Sequence, residues 1–413
     1  MRRAWSAVVL AAVVAAGCGD DRAGVNRGLR PVESCGHLEH AACDVRTPSC
    51  QRRLFDVATC LRGDQPGALP PISVVSEAAF AARLADEAAS RPLPEHLGTW
   101  DWAWASLALI APGALTPSTA AAERAKWIWG VYRSDTKEVT LVDHGARFDD
   151  RSASPVLLHE LIHALQDREV DLREVYESIE WSRDASLAAR SIVEGEARMH
   201  ETRYHAALEG YDLTAAELMT HFDAALDRDR EALLMDESPL TSSAQRFPYQ
   251  WGATYVHQLW RAGGMDAVHA VLQAPPTTTR VLMDSVDRAV PPEPTPAPPP
   301  APTPPAEEWT EVGHDTLGAW ALFLALAHLD ATWSGAADTW ARGWRADGFW
   351  LYERTGAGLG NAFVWTIDLV DEDTARDVAQ WFQTKGTVQA RAAGARLVFS
   401  KSSDGTPLDW AAP

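Results

Sequence analysis

The pattern of apolar and polar positions predicts a mainly helical middle part of the chain. Several runs with a composition typical of helices are delimited by glycine and proline residues. These predicted helices span residues 76–89, 154–168, 184–208, 213–234, 249–261 and 265–273. Gly263-Gly264 ends the fifth helix, and Pro275-Pro276 ends the sixth, because proline cannot continue a helix.

A β-hairpin is predicted just before the helix at 154–168. Val139 and Leu141 alternate with Thr140, which is the pattern of a half-buried strand. Residues 127–133 would form the partner strand, and residues 134–137 would form the turn between them.

The last third of the chain has a different pattern. Residues 291–305 are almost entirely Pro, Ala, Thr and Glu, which predicts a polyproline-type spacer that cannot pack a core. The apolar run at 316–329 is too short to span a bilayer and predicts a buried core helix. A small α+β unit follows. Its predicted strands lie at 349–354, 362–369 and within 388–400, its helix lies at 371–384, and Asp347-Gly348 indicates a turn.

The N-terminus is typical of an export signal. Arg2 and Arg3 precede a short apolar stretch, which ends at Gly17-Cys18. Small residues directly before Cys18 are typical of a bacterial lipobox, so we expect cleavage there and lipidation of Cys18. A plain signal peptide with an incidental cysteine is the alternative.

The remaining cysteines lie together in the N-terminal part of the chain. They are Cys35, Cys43, Cys50 and Cys60. An even number of clustered cysteines in an exported protein predicts two disulfides, with three possible connectivities. A zinc site of four thiolates is a weaker alternative, because the spacings lack C-x-x-C pairs.

Composition and charge narrow the function classes. A chain of 413 residues, 46% of them hydrophobic, has enough material for one large core or for two domains. The formal net charge of −20 repels nucleic acid, so we expect no nucleic-acid partner.

The segment His159-Glu160-Leu161-Ile162-His163 carries the clearest chemical signal. Residues four apart lie on one face of a helix, so His159 and His163 would present two imidazoles to one metal ion. Glu160 lies beside them, where its carboxylate would reach a water on that ion. The flanking residues are apolar, which predicts a buried helix and therefore histidines that need partners.

A catalytic zinc ion takes three protein ligands, so a third is expected on a nearby element. Glu194 is the candidate, because hydrophobic residues directly precede it in the next long helix. Glu196 is the competitor, but it lies two residues further on and points to another helix face.

Together these motifs resemble the gluzincins, the thermolysin-like and alanyl-aminopeptidase-like zinc peptidases. The segment at 193–197, VEGEA, matches the aminopeptidase N-E-G-F-A at Glu, Gly and Ala, and the segment at 249–253, YQWGA, matches Y-x-K-G-A at Tyr, Gly and Ala. The resemblance covers about 125–275. It implies that Glu194 is the third zinc ligand, that Tyr249 stabilises an oxyanion, and that the hairpin edge pairs with an extended peptide substrate.

Two departures limit what the resemblance implies. Val193 replaces the Asn of the aminopeptidase motif, and the G-x-M-E-N segment that grips a free amine is missing. We therefore expect a zinc hydrolase without aminopeptidase specificity, acting as an endopeptidase with Glu160 as the general base.

These observations predict an α+β protein with a mainly helical, zincin-like catalytic domain, a small edge sheet and a small C-terminal α+β unit. The expected divisions are a signal peptide (1–17), a tether (18–34), a disulfide-stapled segment (35–62), the catalytic domain (63–285), a Pro-rich linker (286–308) and the C-terminal unit (309–413). The expected function is an exported, membrane-anchored lipoprotein that hydrolyses peptides or proteins with Zn²⁺. The alternative is a non-catalytic surface lipoprotein that binds a partner through a retained zincin scaffold.

Overall fold

A computed structural model of the chain has the predicted α+β architecture, with two small sheets and a larger helical part. It describes residues 10–13, 35, 38, 40–90, 94–115, 125–179, 182–286, 297–305, 308–329, 335–354, 360–385 and 388–411. Cys18, the predicted tether and most of the predicted signal peptide lie outside these residues.

The elements follow one another along the chain with helices in the majority. The helices are α1 (Pro48–Arg62), α2 (Glu77–Ser90), α3 (Leu97–Ser106), α4 (Asp150–Val170), α5 (Leu172–Ile179), α6 (Arg183–Leu208), α7 (Ala215–Leu234), α8 (Pro239–Gln273), α9 (Thr279–Asp284), α10 (Gly318–His328), α11 (Gly335–Arg342) and α12 (Glu372–Lys385). The strands are β1 (Leu10–Val13), β2 (Ile72–Ser76), β3 (Ile128–Arg133), β4 (Glu138–Asp143), β5 (Trp309–Asp315), β6 (Trp344–Arg354), β7 (Asn361–Leu369), β8 (Gln389–Ala393) and β9 (Arg396–Ser402).

The first sheet has the strand order β1-β3-β4-β2. Strands β3 and β4 form the predicted antiparallel hairpin, with Val131 opposite Thr140. Strand β2 pairs in parallel with β4, and β1 pairs in antiparallel fashion with the other edge of β3. The sheet lies against α4, so the hairpin covers one side of that helix.

Helix α4 runs through the interior of the helical part. Asp149 and Ser152 form a capping box at its start, in which each side chain binds the other's backbone amide. Every residue from Ala153 to Asp167 is buried. A helix that is buried on all sides needs neighbours all round, and α4 packs against α1, α6 and the first sheet.

Helix α8 combines two of the predicted helices. It begins at Pro239, ten residues before the predicted start, and continues past Gly263 and Gly264, whose dihedral angles are not helical. The predicted break is therefore a kink inside one longer element. It packs against α6, with a close approach at Gly195 and Gly252, and this is the most extensive helix–helix contact among the described residues.

The second sheet is antiparallel throughout, in the order β5-β6-β7-β9-β8. Aromatic residues pack its buried face, with Trp365 edge-to-face against Phe349 and tilted against Phe399. The predicted core helix is α10, in which every residue from Gly318 to Ala327 is buried. One hydrophobic cluster contains residues of α4, α6, α10 and β7, so the core is continuous across the predicted boundary at 286–308.

The four described cysteines form two disulfides. The pairs are Cys35–Cys60 and Cys43–Cys50, which selects one of the three possible connectivities. Disulfides persist in oxidising surroundings, so the protein belongs to an exported or otherwise oxidising environment. In the part of the chain that the structure describes, no helix is both long and apolar enough to cross a membrane.

Candidate metal centre

Three predicted ligands come together between α4 and α6. One turn of α4 places His159 and His163 side by side, with ring centroids 4.7 Å apart. The Oε2 atom of Glu194, on α6, lies 3.3 Å from the Nε2 atoms of both rings. One ligand atom from each of the three residues lies within 4.8 Å of the others, and all three side chains are fully buried.

The outer ring nitrogens of both histidines have partners that fix the rings. His159 Nδ1 lies 3.0 Å from Glu201 Oε2, and His163 Nδ1 lies 2.8 Å from Gln166 Oε1. Both partner atoms accept hydrogen bonds, so each Nδ1 is the donor and each Nε2 faces Glu194. Such outer partners are typical of histidines that bind a metal ion.

Glu160 lies on the side of α4 that faces the hairpin. Its carboxylate packs against Gly130 of β3, where an added Cβ atom would lie 2.7 Å from Glu160 Oε1. Neither carboxylate oxygen has a hydrogen-bond partner of good geometry among the described residues, although both are buried. Glycine at position 130 therefore provides the space for a buried carboxylate beside the sheet.

Tyr249 approaches the same site from α8. Its ring stacks on the His159 ring with a centroid distance of 5.9 Å, and its hydroxyl interacts with the Glu194 carboxylate. The helix crossing allows this approach, because a Cβ atom on Gly195 or on Gly252 would overlap the backbone of the other helix. Gly195, in the segment at 193–197, and Gly252, in the segment at 249–253, therefore lie at the closest approach of the two helices. This approach brings Glu194 and Tyr249 together.

Burial and neighbouring charges set the protonation of the site. Burial raises the pKa of Glu160 to about 8, and the charge of Glu194 adds to this effect while His163 opposes it. Burial also disfavours the charged form of Glu194, but His163 and His159 outweigh burial and hold its pKa well below the usual range. For His159, the hydrogen bonds to Glu194 and Glu201 overcome the effect of burial and raise the pKa to about 9. The pKa values of the two buried glutamates are thus shifted in opposite directions. This is common where one glutamate binds a cation and the other transfers a proton.

Two other buried acidic residues, on α4 and α6, have different partners. Glu196, the alternative third ligand, accepts hydrogen bonds from Gln166 and Arg62. Asp167, one turn after His163 on α4, accepts hydrogen bonds from the hydroxyl of Tyr132 and the ammonium of Lys137. Sequence reasoning did not single out Gln166, Glu201 or Arg62. Gln166 and Glu201 had a sequence signal, since Gln166 lies three residues after His163 and Glu201 lies seven residues after Glu194, each on the same helix face.

The donor set suits a zinc ion. Two imidazoles and one carboxylate are ligands that catalytic zinc takes, and they leave a coordination position for water. His163 Nε2 and Glu194 Oε1 are buried without a hydrogen bond of good geometry among the described residues, as expected of atoms whose partner is an ion. Comparisons of the chain with models of protein families, with curated proteins and with solved structures find no match.

Proposed function

We propose that this protein is a zinc-dependent metallopeptidase that cleaves peptide bonds within its substrates. The observation that carries the proposal is the buried convergence of His159, His163 and Glu194 beside the buried carboxylate of Glu160. A structural zinc site is normally closed by four protein ligands. Three ligands with an adjacent carboxylate are an arrangement that suits hydrolysis by an activated water.

Each residue of the site has a defined role in this reaction. A bound zinc ion supplies Lewis acidity and lowers the pKa of water to about 7. Glu160 accepts the proton of the attacking water and passes it to the leaving amine, and a pKa near neutrality suits both transfers. Tyr249 keeps its proton because burial raises its pKa, so its hydroxyl can donate a hydrogen bond to the developing oxyanion.

The edge of β3 is the place where we expect an extended substrate to bind. Its backbone pairs with β1 in antiparallel fashion, with Ala12 opposite Gly130, and Gly130 lies against Glu160. Strand β1 belongs to the predicted signal peptide. Once that segment is removed, the same edge would be open to a peptide that adds a strand to the sheet.

We further propose that the protein is exported and anchored by a lipid on Cys18. The small residues before Cys18 support lipidation, and the two disulfides support an oxidising environment. The acyl chains would hold the protein at the membrane surface, where it would meet peptide or protein substrates.

Metal analysis and digestion of an unbiased peptide library test the proposed function. We expect one zinc ion per purified chain and cleavage that stops when a chelator removes the metal. Zinc added back should restore cleavage. Zinc retained with no cleavage of any library peptide would instead favour the partner-binding alternative.

Replacing Tyr249 with phenylalanine is expected to lower kcat about 100-fold, the usual effect of losing one donor to an oxyanion. Zinc content should stay the same, because the phenylalanine ring can keep its stacking on His159. Steady-state kinetics and metal analysis measure both quantities. Tyr255→Phe, at a buried position on the same helix, is the matched control. An unchanged kcat in the Tyr249 variant would exclude its role as a donor.

A further inference from the structure

Arg62, the last residue of α1, is a buried cation with three anionic partners. Its Nε atom donates to Glu196 at 2.6 Å, one terminal nitrogen donates to Asp64 at 2.5 Å, and the other donates to Glu169 at 2.9 Å. Its side chain is fully buried. A buried guanidinium is stable when its hydrogen bonds and its charge are satisfied, and a planar fork of donors suits several carboxylates at once.

This cation explains a second group of potential metal ligands. Asp64, Glu169 and His269 lie close enough together to hold an ion. However, the guanidinium of Arg62 already binds both carboxylates, and His269 contacts Glu169 and the Arg62 carbonyl. The positive charge at this position is therefore supplied by the protein itself.

The contacts of Arg62 continue to the candidate metal centre. The second oxygen of Glu196 accepts a hydrogen bond from Gln166 Nε2 at 2.8 Å, and the Val193 carbonyl accepts another from the same nitrogen at 2.9 Å. Both partners of this nitrogen are acceptors, so the amide group of Gln166 must point its NH₂ toward them. Its oxygen then faces His163 Nδ1 at 2.8 Å. The Gln166 orientation thus forces His163 to carry its proton on Nδ1 and to present Nε2 as a ligand.

We propose that Arg62 is a positioning residue for the metal ligand His163. Arg62 holds Glu196, Glu196 orients Gln166, and Gln166 sets the tautomer and ring angle of His163. This inference depends on the proposed function, since it assigns Arg62 a role in zinc binding. It also assigns a function to the disulfide-stapled segment, because that segment supplies Arg62, the first residue in the series of contacts that leads to His163.

The stapled segment is well attached to the site helix. The Cys35–Cys60 disulfide closes two residues before Arg62, and Cys43 exchanges hydrogen bonds with the Ser154 side chain of α4. Tyr204, on α6, also donates to the Ala41 carbonyl at 3.1 Å. This last contact anchors the same segment without entering the path to His163, so it offers a control.

The test measures zinc affinity in the full-length protein by competition with a chelator of known affinity. Arg62→Lys keeps a buried positive charge but cannot bind three carboxylates in one plane, so we expect zinc to bind about 10-fold more weakly. Gln166→Leu removes the last contact and should weaken binding by about 10- to 100-fold. The double variant should be no weaker than Gln166→Leu alone, because both changes act on one path. Tyr204→Phe should stay within about twofold of the wild type.

Unfolding of the zinc-free variants by denaturant separates positioning from general destabilisation. After any difference in stability is allowed for, Arg62→Lys should bind zinc more weakly than Tyr204→Phe. Two results would overturn the role of Arg62. One is an equal zinc affinity in these two variants. The other is a double variant whose fold-loss of zinc affinity equals the product of the losses in the Arg62 and Gln166 single variants. A wild-type chain that binds no zinc would overturn the proposed function itself, so the two failures are distinguishable.

Discussion

Replacing Glu160 with glutamine is expected to abolish most hydrolysis, with a fall in kcat of about 10³-fold, while the zinc content stays at one ion per chain. Loss of a general base typically costs 10²- to 10⁴-fold. The metal should remain because Glu160 is not part of the ligand set formed by His159, His163 and Glu194. Glutamine has nearly the same volume, and the buried position has no charged hydrogen-bond partner that the amide would lose.

The dependence of kcat/KM on pH makes this prediction more specific. Glu160 works as a base only when it is ionised, so activity should rise with pH through its pKa. In the metal-free site burial raises this pKa to about 8, and a nearby dication lowers the pKa of a carboxylate. The acid limb of the wild-type profile should therefore lie below pH 8, and residual activity of the variant should lack it.

Glu174→Gln is the matched control for this experiment. Glu174 is an exposed glutamate on α5, so the same chemical change there should leave kcat and zinc content unaltered. Full proteolysis by Glu160→Gln would show that another group takes the proton, and loss of zinc from it would show that Glu160 binds the metal.

Local signals were sufficient to predict the elements that carry the candidate ligands. The predicted helices at 154–168 and 184–208 lie within a few residues of the bounds of α4 and α6, and the alternation at 139–141 falls within β4. The spacing of His159 and His163 follows directly from helix geometry. The nearness of Glu194 to Tyr249 did not follow from any local pattern, since it depends on the crossing at Gly195 and Gly252.

Elements that depend on distant partners were missed. Strand β2 has five residues and forms only because β4, more than sixty residues later, pairs with it in parallel. Helix α3, with Trp100, Trp102 and Trp104, lacks the polar face that would mark a helix in the sequence. Its Trp100 and Trp102 rings pack against the second sheet. In both cases tertiary packing decides the structure.

The predicted turn at Asp347-Gly348 was wrong for a similar reason. Asp and Gly favour turns when only neighbouring residues are considered. In the structure both residues lie inside β6, and the buried Asp347 carboxylate accepts hydrogen bonds from the Leu317 and Gly318 amides at the start of α10. Ring nitrogens of Trp344 and Trp365 donate to it as well. A polar residue in a strand is stable here because donors from distant elements satisfy it.

The outer partners of the histidines show the same limit. Gln166 could have been placed near His163, three residues earlier on the same helix, but its orientation depends on Glu196 and therefore on Arg62. Arg62 lies about 100 residues earlier in a segment that looked like a separate stapled unit. No pattern along the chain links these positions.

Replacing Glu194 with alanine is expected to remove the metal almost completely. Loss of an outer partner weakens zinc binding 10- to 100-fold, so loss of a direct ligand should weaken it by more than about 100-fold. The variant would keep two imidazoles, too few for a catalytic zinc site. Zinc per chain should fall from one to near zero after dialysis against a dilute chelator, and hydrolysis should fall with it.

The choice between Glu194 and Glu196 as the third ligand makes this experiment decisive. Both glutamates are buried on α6, but the Glu196 carboxylate faces Gln166 and Arg62, whereas Glu194 Oε2 lies 3.3 Å from both ligand imidazoles. Glu196→Gln should therefore weaken zinc binding by no more than the loss of an outer partner does, and Glu194→Gln should weaken it much further. The glutamine variants keep the side-chain volume, so they separate loss of a ligand from collapse of the core. Glu231→Ala, at an exposed position on α7, should bind zinc like the wild type. If Glu196→Gln lost more zinc affinity than Glu194→Gln, the ligand assignment would be reversed.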